Sequence, residues 1–175
     1  FHSDENIINP IRVQPEITLE LEESLILCNT GVDHHSGNIH DHQKKAMSSS
    51  SIQEMVKANV ELTYETRNHL LRGDLDKFGE CLDTAWQLKR NLSSMISTDY
   101  IDSIYSGALE HGATGGKLLG AGGGGFFIFY VPPFKKYALM TYLESINLTI
   151  QPFRFEPDGL KAWVSRDNSN RSIGE

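Results

Sequence analysis

Apolar and polar positions trade places along this chain with two different periods. From Ile17 to Glu22 they alternate, Ile17, Leu19 and Leu21 against Thr18, Glu20 and Glu22, which predicts a half-buried strand. A shorter apolar run before it, Ile7 to Val13, is broken by Pro10 and predicts an edge or bulged strand. Ser24 to Asn29, SLILCN, predicts a more buried strand that closes at Thr30-Gly31. The period then lengthens to that of a helix. Ser36 to Met47 predicts a helix after which Ser48 to Ser51 reads as a connector. Ser51-Ile52-Gln53-Glu54 has the spacing of a capping box, opening a long helix that ends near Gly73. Asp74 is placed to cap a further helix, with Leu75, Phe78, Gly79, Leu82, Ala85, Trp86 and Lys89 on one stripe. Ile101, Ile104, Tyr105, Ala108 and Leu109 mark another, stopped at Gly112.

The last third mixes the two periods. Gly116 to Leu119 and Phe126 to Val131 predict strands, the second ended by Pro132-Pro133. Phe134 to Ile146 predicts a helix with Leu139, Leu143 and Ile146 aligned. Thr149 to Phe155 and Leu160 to Val164 predict closing strands around a Pro157-Asp158-Gly159 turn, before a polar tail. Strands, then helices, then a strand–helix–strand unit predict an α+β fold: an antiparallel sheet covered by helices on one face.

Composition narrows the class of function. At 175 residues the chain is long enough for one domain with a real core. A net charge of −7 argues against nucleic acid as a partner, which needs a basic face, and leaves an anionic small ligand dependent on a local positive site. Cys28 and Cys81 each sit in an apolar pattern and form no CxxC, so buried free thiols and a cytoplasmic setting are expected. No stretch reaches the ~18 apolar residues of a membrane span, and no signal peptide is visible. The first residue is Phe1 rather than Met, which suggests a piece of something longer.

The densest chemistry lies in KLLGAGGGGFFIFYV, Lys117 to Val131. Seven of the fifteen glycines fall between Gly115 and Gly125, and such a density needs a backbone reason. Gly120, Gly122 and Gly125 fit the spacing of a dinucleotide fingerprint, but that motif must open a helix, and FFIFYV reads as a strand. The Walker pattern fails as well: His111 stands where its first glycine is required, and Leu118 where Ser or Thr is required. A hairpin turn would use one or two glycines, not GAGGGG. What fits is a strand, a glycine loop and a strand, approached closely by another backbone or by a phosphate.

GGKLLGAGGGGFFIF, together with GVDHHSGNIHDHQ after a strand ending in NTG and with TAWQLKRNLS, resembles the GHMP kinases, most of all their sugar-phosphate branch. The resemblance covers about Ile7 to Val131 well. It implies a two-domain kinase with its active site at the domain junction. Residues 1–165 would be the C-terminal domain, with a ferredoxin-like fold, and 166–175 a polar tail. The family's ATP-phosphate loop and its acidic residues belong to an N-terminal domain whose motifs this sequence lacks. The implied reaction is phosphoryl transfer from ATP, with Mg2+ held mainly by that other domain, to the anomeric hydroxyl of a heptose 7-phosphate. By itself the chain is then expected to be inactive and to hold no catalytic residue. Lys117, Gly120, Ala121, Gly122, Gly123, Gly124 and Gly125 would form a loop beside the ATP-phosphate loop. Thr30 and Gly31 would turn near the sugar, where Asp33, His34 and His35 replace the arginine that relatives often carry. That substitution leaves Lys89 and Arg90 as candidates for pairing with a substrate anion. Each residue also has a bland reading: Lys117 as a solvated strand-end charge, Lys89 and Arg90 as cations suited to a helix C-terminus.

His34, His35, His40 and His42 fall within nine residues, which raises a zinc site. The spacing matches no closed site, no cysteine accompanies it, and a polar helix start is the plainer reading, so no metal ligand is expected. Two other classes stay open on the residues alone: a ferredoxin-like regulatory module that holds a small anion without chemistry, and a metal-binding module using the histidines.

Overall fold

The computed structural model describes residues 10–32 and 50–164, apart from the side chain of Ser51. The strand expected over Ile7 to Val13 lies partly outside these residues, and positions 10–13 are irregular. The helix expected over Ser36 to Met47, the histidine cluster and the polar tail lie outside them.

The first element corrects the sequence reading. Pro15–Ser24 is a helix, α1, not a strand. Pro15 stands at its first turn, where the missing N–H costs nothing and the fixed φ favours helix. Ile17 and Leu21 are also four apart, so a helix brings both to the core while Leu19 stays two-thirds exposed. The alternation ITLELE satisfies both periods, and packing selects the helical one.

Strand β1 follows directly, Leu25–Asn29. Helix α2 runs Ser50–Arg72 and ends at Gly73, whose φ is +76°. Ser50 and Ser51 thus belong to the helix rather than to a connector, and the capping role of Ser51 lies outside the described residues. Helix α3, Leu75–Arg90, begins after Asp74 as expected, but the Asp74 side chain makes no capping bond. Its carboxylate faces His69 Nδ1 at 3.5 Å instead. Helix α4, Asp99–Glu110, is capped by the Thr98 hydroxyl, which accepts from the Ile101 N–H. Strands β2, Gly115–Leu118, and β3, Phe126–Tyr130, flank the glycine loop. Pro133–Lys135 forms a 3-10 turn into α5, Lys136–Ser145, and β4 is Thr149–Gln151. The strand expected over Leu160 to Val164 is absent: Leu160, Trp163 and Val164 are almost fully exposed and pair with no strand.

All four strands pair antiparallel in the order β2-β3-β1-β4. With α2, α3 and α4 between β1 and β2, and α5 between β3 and β4, this is the ferredoxin-like split βαβ arrangement. Strand periodicity sorts the core onto two faces. Ile26, Cys28, Phe127 and Phe129 face Trp86, Ile101, Ile104, Leu139 and Leu143, the larger cluster. Leu25 and Tyr130 face Leu21 and Leu75 in a smaller one. The second face therefore carries its own helical cover, with α3 contributing to both clusters. Cys28 and Cys81 are buried free thiols, and burial pushes Cys28 up to about 12, so it is inert as a nucleophile. No helix among the described residues is long and apolar enough to cross a membrane.

The assignment of α1 makes a direct test. Leu21→Ala is expected to lower stability by about 2–4 kcal/mol. Leu19→Ala should stay within about 0.5 kcal/mol of the parent. A strand would expose the two to equal loss, so equal shifts in urea unfolding would overturn the helix.

Candidate functional site

The loop between β2 and β3 is shaped by contacts from its own chain. Register places Asn29 opposite Phe126. One residue further on, the Thr30 N–H donates to the Gly125 carbonyl at 2.8 Å, and the Thr30 hydroxyl donates to the same oxygen at 2.9 Å. The Gly125 N–H then donates to the Val32 carbonyl at 3.0 Å, and the Gly123 N–H to the Ile96 carbonyl at 2.8 Å. Two short segments, Thr30–Val32 and the turn carrying Ile96, thus grip the loop from this chain.

Two positions show why side chains are excluded. A Cβ at Gly124 would strike the Val32 carbonyl oxygen. A Cβ at Gly122 would lie 2.9 Å from Ile96 Cα, and its φ of +118° is closed to L side chains besides. At Gly120, by contrast, a Cβ would meet nothing within 4 Å. The close backbone neighbour anticipated from the glycine density is, at Gly122 and Gly124, this domain's own backbone.

A second layer holds the grip. Thr30 is buried, and its carbonyl accepts from the Tyr100 hydroxyl at 3.2 Å. Arg90 Nη2 meets Asp102 Oδ2 at 2.7 Å, and the Ser97 hydroxyl donates to Asp102 Oδ1 at 2.6 Å. This network ties the end of α3 and the start of α4 to the turn that presents Ile96. Sequence inspection singled out Arg90 as an anion partner; the structure engages its guanidinium with Asp102. It gave no hint of Val32, Ile96, Ser97, Tyr100 or Asp102: Val32 and Ile96 act through backbone carbonyls, Tyr100 reaches Thr30 across 70 residues, and Ser97 and Asp102 meet Arg90 in a turn that no short periodic pattern marks. Only Thr98, a cap residue ahead of an apolar-periodic run, left a readable signal.

Lys89 reaches over from the last turn of α3. Its Nζ donates to the carbonyls of Leu118 and Gly120, both at 2.7 Å, and so pins the entry to the loop. Lys117, on β2, has no partner among the described residues. Burial first, and then the Lys117 charge, hold the Lys89 ammonium down to about 8; burial lowers Lys117 too. Both line a cavity of ≈ 280 Å³ between α2, α3 and the loop, whose walls include Met55, Val60, Gly120 and Ala121. Of the loop N–H groups, those of Gly123 and Gly125 are engaged by protein carbonyls, while those of Gly120, Gly122 and Gly124 have no partner among the described residues. Thr30 and Gly31 turn as expected, Gly31 with φ +72° and its N–H on Asn29 Oδ1 at 2.8 Å. Asp33, His34 and His35 lie outside the described residues. Among those described, no group of three or more His, Cys, Asp or Glu is placed to hold a metal ion.

Residues 67–137, from the end of α2 to the start of α5, match the family described as GHMP kinases C terminal. That stretch is a GHMP kinase C-terminal family domain. It is 31% identical over 163 residues to a D-glycero-alpha-D-manno-heptose 7-phosphate kinase of Campylobacter jejuni, covering 93% of this chain and 48% of that protein. A D-glycero-D-manno-heptose 1-phosphate kinase from Bacteriodes thetaiotaomicron superposes with a TM-score of 0.57 at 25% identity, over 85% of this chain and 38% of its own. L. major mevalonate kinase superposes with a TM-score of 0.65 at 20% identity, over 75% and 43% respectively, a likeness of fold alone. The chain thus spans about half the length of that curated heptose 7-phosphate kinase. The relatives are kinases, and the ferredoxin-like GHMP kinase fold expected from the glycine motif is the fold observed.

Two outcomes test this geometry. Gly124→Ala must displace the Val32 carbonyl, whereas Gly120→Ala meets only the strain of a positive φ, about 1–2 kcal/mol; thermal unfolding should place Gly124→Ala well below Gly120→Ala. The second is a pH dependence. The folded-state pKa of Lys89 lies below its ordinary 10.5, so between about pH 8 and 10.5 the unfolded chain holds a proton that the folded chain has released. Stability relative to Lys89→Met should therefore rise with pH across that window and stay level below it. A flat difference in urea midpoints between the two proteins would contradict the burial of this ammonium.

Proposed function

We propose that this chain is the C-terminal portion of an ATP-dependent sugar-phosphate kinase whose acceptor is D-glycero-D-manno-heptose 7-phosphate, phosphorylated on its anomeric hydroxyl. The observation that carries this reading is the loop Gly120–Gly125: a segment whose one side chain is the buried methyl of Ala121, gripped at Gly123 and Gly125, that offers three N–H groups without partners among the described residues and has Lys89 and Lys117 lining the cavity beside it. Two relatives named for a manno-heptose phosphate, one of them aligned with 93% of this chain, favour that acceptor over galactose or mevalonate.

Phosphoryl transfer asks little covalent chemistry of a protein and much alignment and charge neutralisation. The loop meets both needs. Without side chains it allows donor and acceptor to approach in line, and its N–H groups supply fixed positive dipoles where charge develops. Thr30, Val32 and Ile96 hold those dipoles in place beforehand. ATP would supply the phosphoryl group. Its phosphate-binding loop and the acidic residues acting on magnesium and the acceptor hydroxyl are assigned to an N-terminal domain outside this chain.

The test uses the complete reading frame, assayed for ATP consumption with heptose 7-phosphate, galactose and mevalonate. Turnover with the heptose phosphate alone is expected, and none from the 175-residue chain by itself. Absence of turnover with every acceptor would instead favour a non-catalytic module that holds a small anion. In the active protein Gly120→Ala should fold and lose about a hundredfold in turnover, the scale of a small misplacement at a reacting centre.

A further inference from the structure

Lys89 and Lys117 pose an electrostatic problem that the fold does not solve. Both are partly buried, and the charge of Lys117 is close enough to depress the proton affinity of Lys89. Two like charges held together out of water repel each other, and each loses hydration. Natural structures offset this with a carboxylate. Here the ion pairs among the described residues engage Lys57, Lys77, Lys136, Lys161, His69 and Arg90, and none engages Lys89 or Lys117. The mismatch stands out in a chain with 23 acidic residues against 16 basic ones. Among the described residues, no carboxylate makes an ion pair with either lysine.

The two ammonium groups share one cavity. Of the three N–H donors of Lys89, two are directed at the Leu118 and Gly120 carbonyls, which leaves one; Lys117 keeps all three. The same cavity is walled on its α2 and α3 sides by Met55, Val56, Val60, Leu88 and Leu92. Its volume of ≈ 280 Å³ admits a group larger than a bare ion. A cavity lined by two ammonium groups without a carboxylate partner among the described residues, and by apolar side chains besides, is complementary to an organic anion.

We propose that this cavity receives the phosphate group of a phosphorylated small molecule, with Lys117 as its principal counter-charge and the remaining Lys89 donor as its second contact. The ligand's carbon body lies against the α2–α3 wall. This rests on the kinase reading for the identity of the ligand, but not for the existence of the site. Lys89 then has two duties. It fixes the carbonyls that open the glycine loop, and it reports the arrival of an anion to that loop, since both contacts share one nitrogen. Gly120, open on its Cβ side, joins the cavity to the loop.

The phosphate can come from the acceptor or from the nucleotide, and the experiment separates them. Lysines of the complete protein are labelled by reductive methylation at constant ionic strength, with inorganic phosphate, heptose 7-phosphate, unphosphorylated heptose or ATP present, and each site is read by mass spectrometry. Lys117 is expected to be protected by inorganic phosphate and by heptose 7-phosphate, and not by free heptose. Protection by inorganic phosphate and ATP but not by the heptose phosphate would assign the same site to the nucleotide. Calorimetry then compares variants. Lys117→Met should weaken phosphate binding about ten- to a hundredfold, the scale of one charge-assisted contact. Lys117→Arg should largely retain it, and Lys77→Met, an exposed lysine paired with Glu80, should leave it unchanged. Equal labelling of Lys117 with and without every phosphate, or unaltered phosphate affinity in Lys117→Met, would overturn the proposal. Turnover without protection would sink this site and leave the kinase standing; protection without turnover would do the reverse.

Discussion

The antiparallel register of β1 against β3 is the constraint on which the rest depends. It sets Asn29 opposite Phe126, so the next residue on each side, Thr30 and Gly125, meet just beyond the sheet. There the Gly125 carbonyl accepts both the Thr30 N–H and the Thr30 hydroxyl. A slip of one residue would carry Phe127 and Phe129 off the face of Trp86 and Tyr105 and break this junction at the same time. The burial that fixes the core therefore also fixes the loop. The glycine segment is a continuation of the central strand pair, not an appendage to it.

From that junction the grip is extended by backbone rather than by side chains. Val32 and Ile96 each present a carbonyl, and the loop answers with N–H groups. Neighbours this close leave no volume for a Cβ at Gly122 or Gly124, so the sequence is glycine-rich because the domain packs against itself there. On the proposed function the same packing has a second role, since a loop whose one side chain is a methyl lets a phosphate approach.

Charge is distributed on the opposite principle. Where a carboxylate is available the structure uses it locally: Asp102 gathers Arg90 and Ser97, and Asp83 accepts from Tyr105 and Gln87. Among the described residues, Lys89 and Lys117 have no such carboxylate partner. Carbonyls at 2.7 Å solvate Lys89 in part, but a carbonyl carries no net charge, and the cavity beside the loop stays positive within an acidic protein.

What the sequence by itself determined was the class of fold and the place of the glycine loop between two strands. Apolar stripes at helical spacing placed α2 to α5, the aromatic run FFIFYV placed β3, and GAGGGG, followed by a strand, could be neither a dinucleotide fingerprint nor a Walker loop. Each of these follows from local sterics, which short stretches carry intact. Tertiary structure decided the rest. That GAGGGG joins an antiparallel pair, β2 and β3, as a long hairpin connection was decided by the fold. ITLELE satisfies two periods at once, and only packing against the Leu25–Tyr130 face chose the helix. Leu160 to Val164 has strand-like residues but no strand beside it, and a strand is completed only by its neighbour. Asp74 has the composition of a cap, yet lies nearer to His69. Arg90 and Lys89 are adjacent in sequence with equal claims on an anion; the fold turned one toward Asp102 and the other toward the Leu118 and Gly120 carbonyls. Helix faces and partners more than ten residues away settle such choices, and a linear pattern holds no record of either.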